Sequence, residues 1–195
     1  MISVQTATGA QARSCLPALA QLRIQVFRQW PYLYDGDLGY EESYLQTYAQ
    51  SPRAVFVLAR DGESLVGCAT GVPLSDEPDY CQAPFKQSGI ATQSVFYFGE
   101  SVLLPSYRGN GLGHRFFDER EHHARQLGFT LTAFCAVVRS ADDPRRPENA
   151  RTLEPFWRGR GYSPQQGMRA TFSWRELGCA IETPQEMQFW LRRDS

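Results

Sequence analysis

The chain switches repeatedly between the alternating pattern of a strand and the spacing of a helix, about 3.6 residues per turn. Residues 2–8 (ISVQTAT) alternate and predict a first strand. Residues 11–28 space Leu16, Leu19, Leu22, Val26 and Phe27 along one helical face, with Pro17 near the first turn, where it is tolerated. Residues 30–37 (WPYLYDGD) break that period and predict an aromatic loop. Residues 40–50 predict a shorter helix with Tyr44, Leu45 and Tyr48 on its apolar side. Residues 54–60 and 64–73 read as two strands joined by an Asp61-Gly62 hairpin turn. Residues 75–93 are polar, carry Pro78 and Pro84, and predict an excursion with room for short helical turns.

Residues 95–104 are almost continuously apolar, as expected of a strand covered on both faces, and Pro105 ends them. After a glycine-rich turn, a helical pattern runs to about Leu127. Leu112, Phe116, His123 or Ala124, and Leu127 lie on one side, and Gly128 is a good stop. Residues 130–138 predict a strand, 142–147 a basic loop, 153–159 a short helix capped by Thr152, and 168–174 and 186–192 two closing strands. The order is β-α-α-β-β-β-α-β-α-β-β. This is an α/β chain with a central mixed β-sheet flanked by helices, expected as one domain over residues 1–195. The hairpin excludes a symmetric doubly wound parallel sheet.

Charge and composition narrow the partners. The net charge is −1 over 195 residues, so nothing draws the chain to nucleic acid or to an anionic membrane. The five cysteines are scattered and odd in number, without zinc spacing, which predicts free thiols in a reducing compartment and no metal. No N-terminal apolar run resembles a signal peptide and no stretch is long enough for a bilayer, so a cytoplasmic protein is expected.

The turn Arg108-Gly109-Asn110-Gly111-Leu112-Gly113 carries the sharpest chemical signal. Glycines between a strand and a helix let the backbone approach a ligand, and a helix start offers unpaired N–H groups to an anion. A nucleoside-triphosphate loop needs Gly-Lys followed by Ser or Thr, and a dinucleotide fingerprint counted from Gly109 needs a glycine at 114; His114 defeats both. The turn does resemble the (Arg/Gln)-x-x-Gly-x-(Gly/Ala) signature of the GCN5-related N-acetyltransferase (GNAT) superfamily. Phe156-Trp157-Arg158-Gly159-Arg160-Gly161-Tyr162 is similar to that family's Leu-Tyr-x-x-x-Gly-Phe, and the element order matches along nearly the whole chain.

The resemblance implies the acyl-CoA N-acyltransferase fold and acetyl-CoA as cosubstrate. It implies that the pyrophosphate sits on the turn formed by Arg108, Gly109, Asn110, Gly111, Leu112 and Gly113. The pantetheine arm would pair with the main chain of Ser101, Val102 and Leu103, where the strand splays from its neighbour. Asn149 either hydrogen-bonds that arm or caps a loop.

Acetyl transfer needs a base for the amine. Glu100, alone in an apolar strand, is the candidate; the alternatives are pairing with an arginine and a hydrogen bond to the acceptor. The family's acid is often the tyrosine of the second motif, but Phe156 or Trp157 stands there, and Tyr162 matches a packing aromatic. Cys135, His122-His123 and Arg145-Arg146 read more readily as a buried thiol, a solvated helix face and a solvated loop. Trp30, Tyr32 and Tyr34, with Asp35, Asp37, Glu41 and Glu42 nearby, either hold a cationic amine or fill core. The expected function is acetyl transfer to a primary amine of a small molecule. A protein or peptide amine, and a non-catalytic CoA-binding sensor, are the alternatives. Residues 75–93 could serve as a lid or as a homodimer contact.

Overall fold

A computed structural model describes residues 1–194. Its strands are β1 (Ile2–Thr8), β2 (Val55–Asp61), β3 (Ser64–Pro73), β4 (Val95–Leu103), β5 (Leu131–Val137), β6 (Ser163–Arg175) and β7 (Glu182–Arg193). Its helices are α1 (Gly9–Ala12), α2 (Leu16–Phe27), α3 (Leu38–Gln50), α4 (Asp79–Gln87), α5 (Leu112–Gln126) and α6 (Glu154–Gly159). The strands form one sheet in the order β1-β2-β3-β4-β5-β7-β6. Among the described residues only β4 and β5 pair in parallel, and α5 is the crossover that parallel pairing requires. This is the mixed sheet with flanking helices that the sequence pattern predicts.

The apolar strands bury both faces. Along β2, Val55, Val57 and Ala59 join the core beneath α5, while Phe56 and Leu58 join the core beneath α2 and α3. A third cluster holds Val95 and Tyr97 of β4 against Cys81 and Phe85 of α4. The parity of β4 changes along its length. Phe96 and Phe98 face the α5 side, but Val102 faces α2 and α3. The register explains this: Gly71 pairs with Phe98 and Ala69 with Ser101, so β4 carries one extra residue at Gly99-Glu100. Side chains alternate strictly along a regular strand, so without this bulge Glu100 would share the face of Phe98. With it, Glu100 turns toward α2.

Several boundaries differ from the sequence pattern for identifiable reasons. The first helical stretch splits into α1, a tight turn at Arg13–Cys15, and α2, because Pro17 fits only in the first turn of a helix. Asp37 starts α3 by accepting the N–H of Tyr40 at 2.9 Å. The excursion at 75–93 contains α4. The closing strands run well beyond 168–174 and 186–192, since main-chain pairing of the hairpin carries β6 and β7 through polar residues. The buried residues of α5 are Leu112, Phe116, Phe117, Arg120, Glu121 and Ala124; Leu127 lies 40% exposed.

The bulge leaves no room for a side chain at Gly99. A Cβ there would lie 2.6 Å from the Tyr48 hydroxyl and 2.8 Å from Thr70 Oγ1. Gly99→Ala is expected to lower the unfolding free energy by about 1–3 kcal/mol, read from urea denaturation midpoints.

Candidate active site

β4 and β5 hydrogen-bond only over residues 95–97 and 131–133. Beyond them β4 stays paired to β3 as far as Leu103, and β5 stays paired to β7 as far as Val137. The facing edges of residues 98–103 and 134–137 therefore have no ladder partner among the described residues. They leave backbone polar groups that an extended molecule can pair with. A cleft of about 1590 Å³ runs between them.

The glycine turn lies at this cleft. Gly109 (φ 83°) and Gly111 (φ 77°) are left-handed, and a Cβ on either would point into open space. Gly111 directly precedes α5, so the first N–H groups of that helix lack partners of their own. Arg108 folds back along β4: its Nε donates to the Leu103 carbonyl at 3.2 Å and its Nη2 to Gln29 Oε1 at 3.2 Å. Ser101, Leu103, Arg108, Gly109, Gly111, Gly113 and Asn149 all line the cleft. Three other residues of the expected site do not. Val102 packs beneath α2 and α3, and Leu112 anchors α5 in the core. Asn110 shapes the turn by donating to the Tyr107 carbonyl at 3.3 Å.

Glu100 lines the cleft yet is only 5% exposed. Its Oε2 lies 2.5 Å from Arg23 Nη1 and accepts the Tyr44 hydroxyl at 3.4 Å. Its Oε1 has no hydrogen-bond partner. Arg23 also pairs through Nε with buried Glu41. Burial works against the charge of Arg23, but Glu100, Tyr44 and Glu41 together hold its pKa above the ordinary arginine value. An arginine partner for Glu100 is therefore present.

A second guanidinium fills the bulge from the other face. Arg120 of α5 donates through Nη1 to the carbonyls of Thr70 and Glu100, both at 3.2 Å, and through Nη2 to Ser101 Oγ at 2.9 Å. It lies over the rings of Phe98 and Phe117. Burial pushes its pKa down to about 10, which leaves it charged at neutral pH. Arg23 and Arg120 carry no lone sequence signature, but both fall on the apolar stripe of their helices, and that placement was the available signal.

The loop at Trp30–Tyr32 is tied down. Arg139 donates to the carbonyls of Pro31 (2.7 Å) and Tyr32 (3.0 Å), and pairs with Glu176 at 2.5 Å. Trp174 Nε1 donates to the Tyr32 carbonyl at 3.0 Å. Trp30 and Tyr32 line the cleft; Tyr34 is not in its wall and instead forms a β-bridge with Glu176. Of the nearby acids, Asp35 is paired with Arg28 and Arg175, Asp37 caps α3, and Glu41 holds Arg23.

Other candidates take structural places. Burial pushes the Cys135 thiol up to about 12, and its Sγ lies 3.0 Å from the Tyr97 hydroxyl. Phe156 packs on Phe117, and Trp157 packs on Phe134 and Trp190. Tyr162 is buried between Thr132 and Glu121. The helix face at 119–125 is less solvated than its charges suggest: Glu121 is buried with Arg160 and Arg192, and His123 bonds the Arg53 carbonyl at 3.0 Å. Arg145 is tied to Asp143 and Glu176. Among the described residues no group of side chains could hold a metal, and no helix is long and apolar enough to cross a membrane.

The family model described as "Acetyltransferase (GNAT) family" matches residues 19–146, about two thirds of the chain. The chain belongs to the acetyltransferase (GNAT) family. No curated protein sequence matches it. Solved structures of this fold include a ribosomal-protein-alanine N-acetyltransferase from Brucella melitensis, at 14% identity and TM-score 0.64, covering 98% of this chain and 99% of that one. ElaA from Escherichia coli is similar at 19% identity and TM-score 0.59, covering 99% and 100%. yncA from Salmonella typhimurium, solved with its cofactor acetyl-CoA, is similar at 10% identity and TM-score 0.57, covering 100% and 94%. The GNAT fold uses acetyl-CoA, and in this acetyltransferase the open strand edge and the glycine turn lie at one cleft.

Arg120 holds the bulge from inside the core. Arg120→Met is expected to strand the Thr70 and Glu100 carbonyls and cost roughly 3 kcal/mol of stability, measured by denaturant unfolding.

Proposed function

We propose that this acetyltransferase moves an acetyl group from acetyl-CoA to a primary amine of a small molecule, with residues 1–195 acting as one domain. The observation that carries the reading is the splay of β4 from β5, with the glycine turn and the start of α5 at the same cleft. In this reading the main-chain groups of Ser101, Val102 and Leu103 pair with the pantetheine arm. The turn from Arg108 through Gly113 takes the pyrophosphate on its N–H groups, and Asn149 reaches the arm from the facing loop.

Acetyl-CoA supplies an activated thioester. The protein supplies the amine site and a path for the proton. Glu100 fits the base role through Oε1, which is unpartnered while Arg23 and Tyr44 fix Oε2. Trp30 and Tyr32 give aromatic faces for a cation, although Asp35, Asp37 and Glu41 are engaged elsewhere. The strap from Arg139 to Pro31, Tyr32 and Glu176 favours a small acceptor over a protein chain, because it fixes the loop that would have to open. With Phe156 and Trp157 in the aromatic core, no phenol from that motif protonates the leaving thiolate, which departs to solvent.

Two variants test the reading, with thiol release measured from acetyl-CoA and a panel of amines. Glu100→Gln is expected to lower kcat about 10²-fold while leaving the acetyl-CoA Kd unchanged. Unchanged turnover would remove Glu100 as the base. Gly111→Val forces a side chain into a left-handed turn and into the space offered to phosphate, and is expected to weaken acetyl-CoA binding about tenfold, read by calorimetry.

A further inference from the structure

Glu41 is fully buried on the first turn of α3 and does not line the cleft. It pairs with Arg23 Nε, and the same guanidinium reaches Glu100 Oε2 through Nη1 at 2.5 Å. One cation therefore touches both carboxylates, and the donors of a guanidinium stand in a fixed fork. Anchored by Glu41, the fork meets Oε2 of Glu100 and leaves Oε1 without a partner.

Glu100 alone would neutralise Arg23, and burying a second carboxylate is costly. A further cation accounts for it. Arg120 reaches the Glu100 carbonyl from α5 at 3.2 Å and spends its other donors on the Phe116 and Thr70 carbonyls and on Ser101 Oγ. Glu100 thus faces two guanidiniums. Nearby positive charge favours an ionised carboxylate and makes it a reluctant proton acceptor. Glu41 supplies the negative charge that offsets one of the two.

We infer that Glu41 is a positioning residue for acetyl transfer: through Arg23 it offsets part of the positive charge at Glu100 and keeps Oε1 able to take the proton of the amine. The inference rests on the reading that Glu100 is the base of an amine acetylation. In that step the nitrogen bonds the acetyl carbon, and the C–S bond breaks. Its electron pair leaves with the CoA thiolate, and the nitrogen's proton moves to Glu100 Oε1. Glu41 gains and loses no proton and touches no substrate.

The remaining groups around the triad are neutral or stay the same in every variant below. Around Glu100, burial lifts Tyr32 of the aromatic loop, Tyr44 and Tyr48 of α3 and Cys68 of β3. Around Glu41 it lifts Tyr34 and Tyr40. Thr70 Oγ1 accepts the Glu100 N–H at 3.3 Å. Glu77, beyond β3, accepts the Tyr48 hydroxyl, and burial lifts its carboxyl to about 7.

The test follows thiol release by the full chain from acetyl-CoA with spermidine, kanamycin or L-lysine over roughly pH 5 to 9. A base works deprotonated, so kcat climbs along an acid limb, and Glu100→Gln should abolish that limb. Glu41→Gln keeps the shape and removes the charge. The limb should then move down by about 1 pH unit, with the plateau kcat roughly three- to tenfold lower. The double variant Arg23→Gln/Glu41→Gln strands neither partner of that pair and takes away the cation in contact with Glu100. Its limb should move up by a similar amount. Ionisation of the acceptor is common to all variants, and acceptor KM and acetyl-CoA Kd should stay within about twofold. A packing role for Glu41 would lower the melting temperature and leave the limb in place. Either variant decides alone if the other fails to fold. No acid limb above about pH 5, an unmoved limb in either variant, or movement of both in one direction overturns the inference and leaves acetyl transfer standing. A limb that survives Glu100→Gln removes the base, and the role of Glu41 with it. Absence of thiol release from the unaltered protein with all three amines overturns acetyl transfer itself.

Discussion

One extra residue in β4 is the constraint on which the site depends. The bulge at Gly99-Glu100 breaks the alternation of the strand, sends a carboxylate toward α2 and frees two carbonyl groups in the middle of the sheet. A buried strand cannot leave such groups unpaired without cost. Arg120 arrives from α5 and satisfies both carbonyls; Arg23 arrives from α2 and meets the carboxylate. Two guanidiniums and two carboxylates, Glu41 and Glu100, thus balance in charge at the centre of the molecule. Buried ion pairs of this kind add little net stability, so their value lies in fixing one geometry.

That geometry serves the cleft. The same strand that bulges also parts from β5, so the unpaired strand edge and the Glu100 carboxylate come from adjacent residues. The end of the cleft at Trp30 and Tyr32 is built differently. Its walls are loops held by Arg139 and Glu176 rather than by the sheet. At 10–19% identity, the similar structures share the fold over nearly the whole chain.

Much of the fold was legible because it follows from local rules. The glycine turn, the hairpin at Asp61-Gly62 and the two-faced apolar strands depend on residues close in sequence. The site was legible only where backbone conformation defines it, as at Gly109 and Gly111. The partners of the acids near the aromatic loop were not legible, because a sequence shows charge but not its partner: Asp35, Asp37 and Glu41 are each engaged within the protein. Val102 and Leu112 turned inward since they are apolar residues at positions the sheet and α5 bury.

The sequence by itself determined the order of elements, the mixed sheet and the left-handed glycines ahead of α5, because periodicity and backbone sterics act over a few residues. Only the tertiary structure decided which charges meet. Arg23, Glu41 and Glu100 lie up to 77 positions apart in the numbering, and no local rule joins them. They come together because a sheet and its covering helices bring distant residues into one low-dielectric interior, where an unpaired charge is too costly to leave alone.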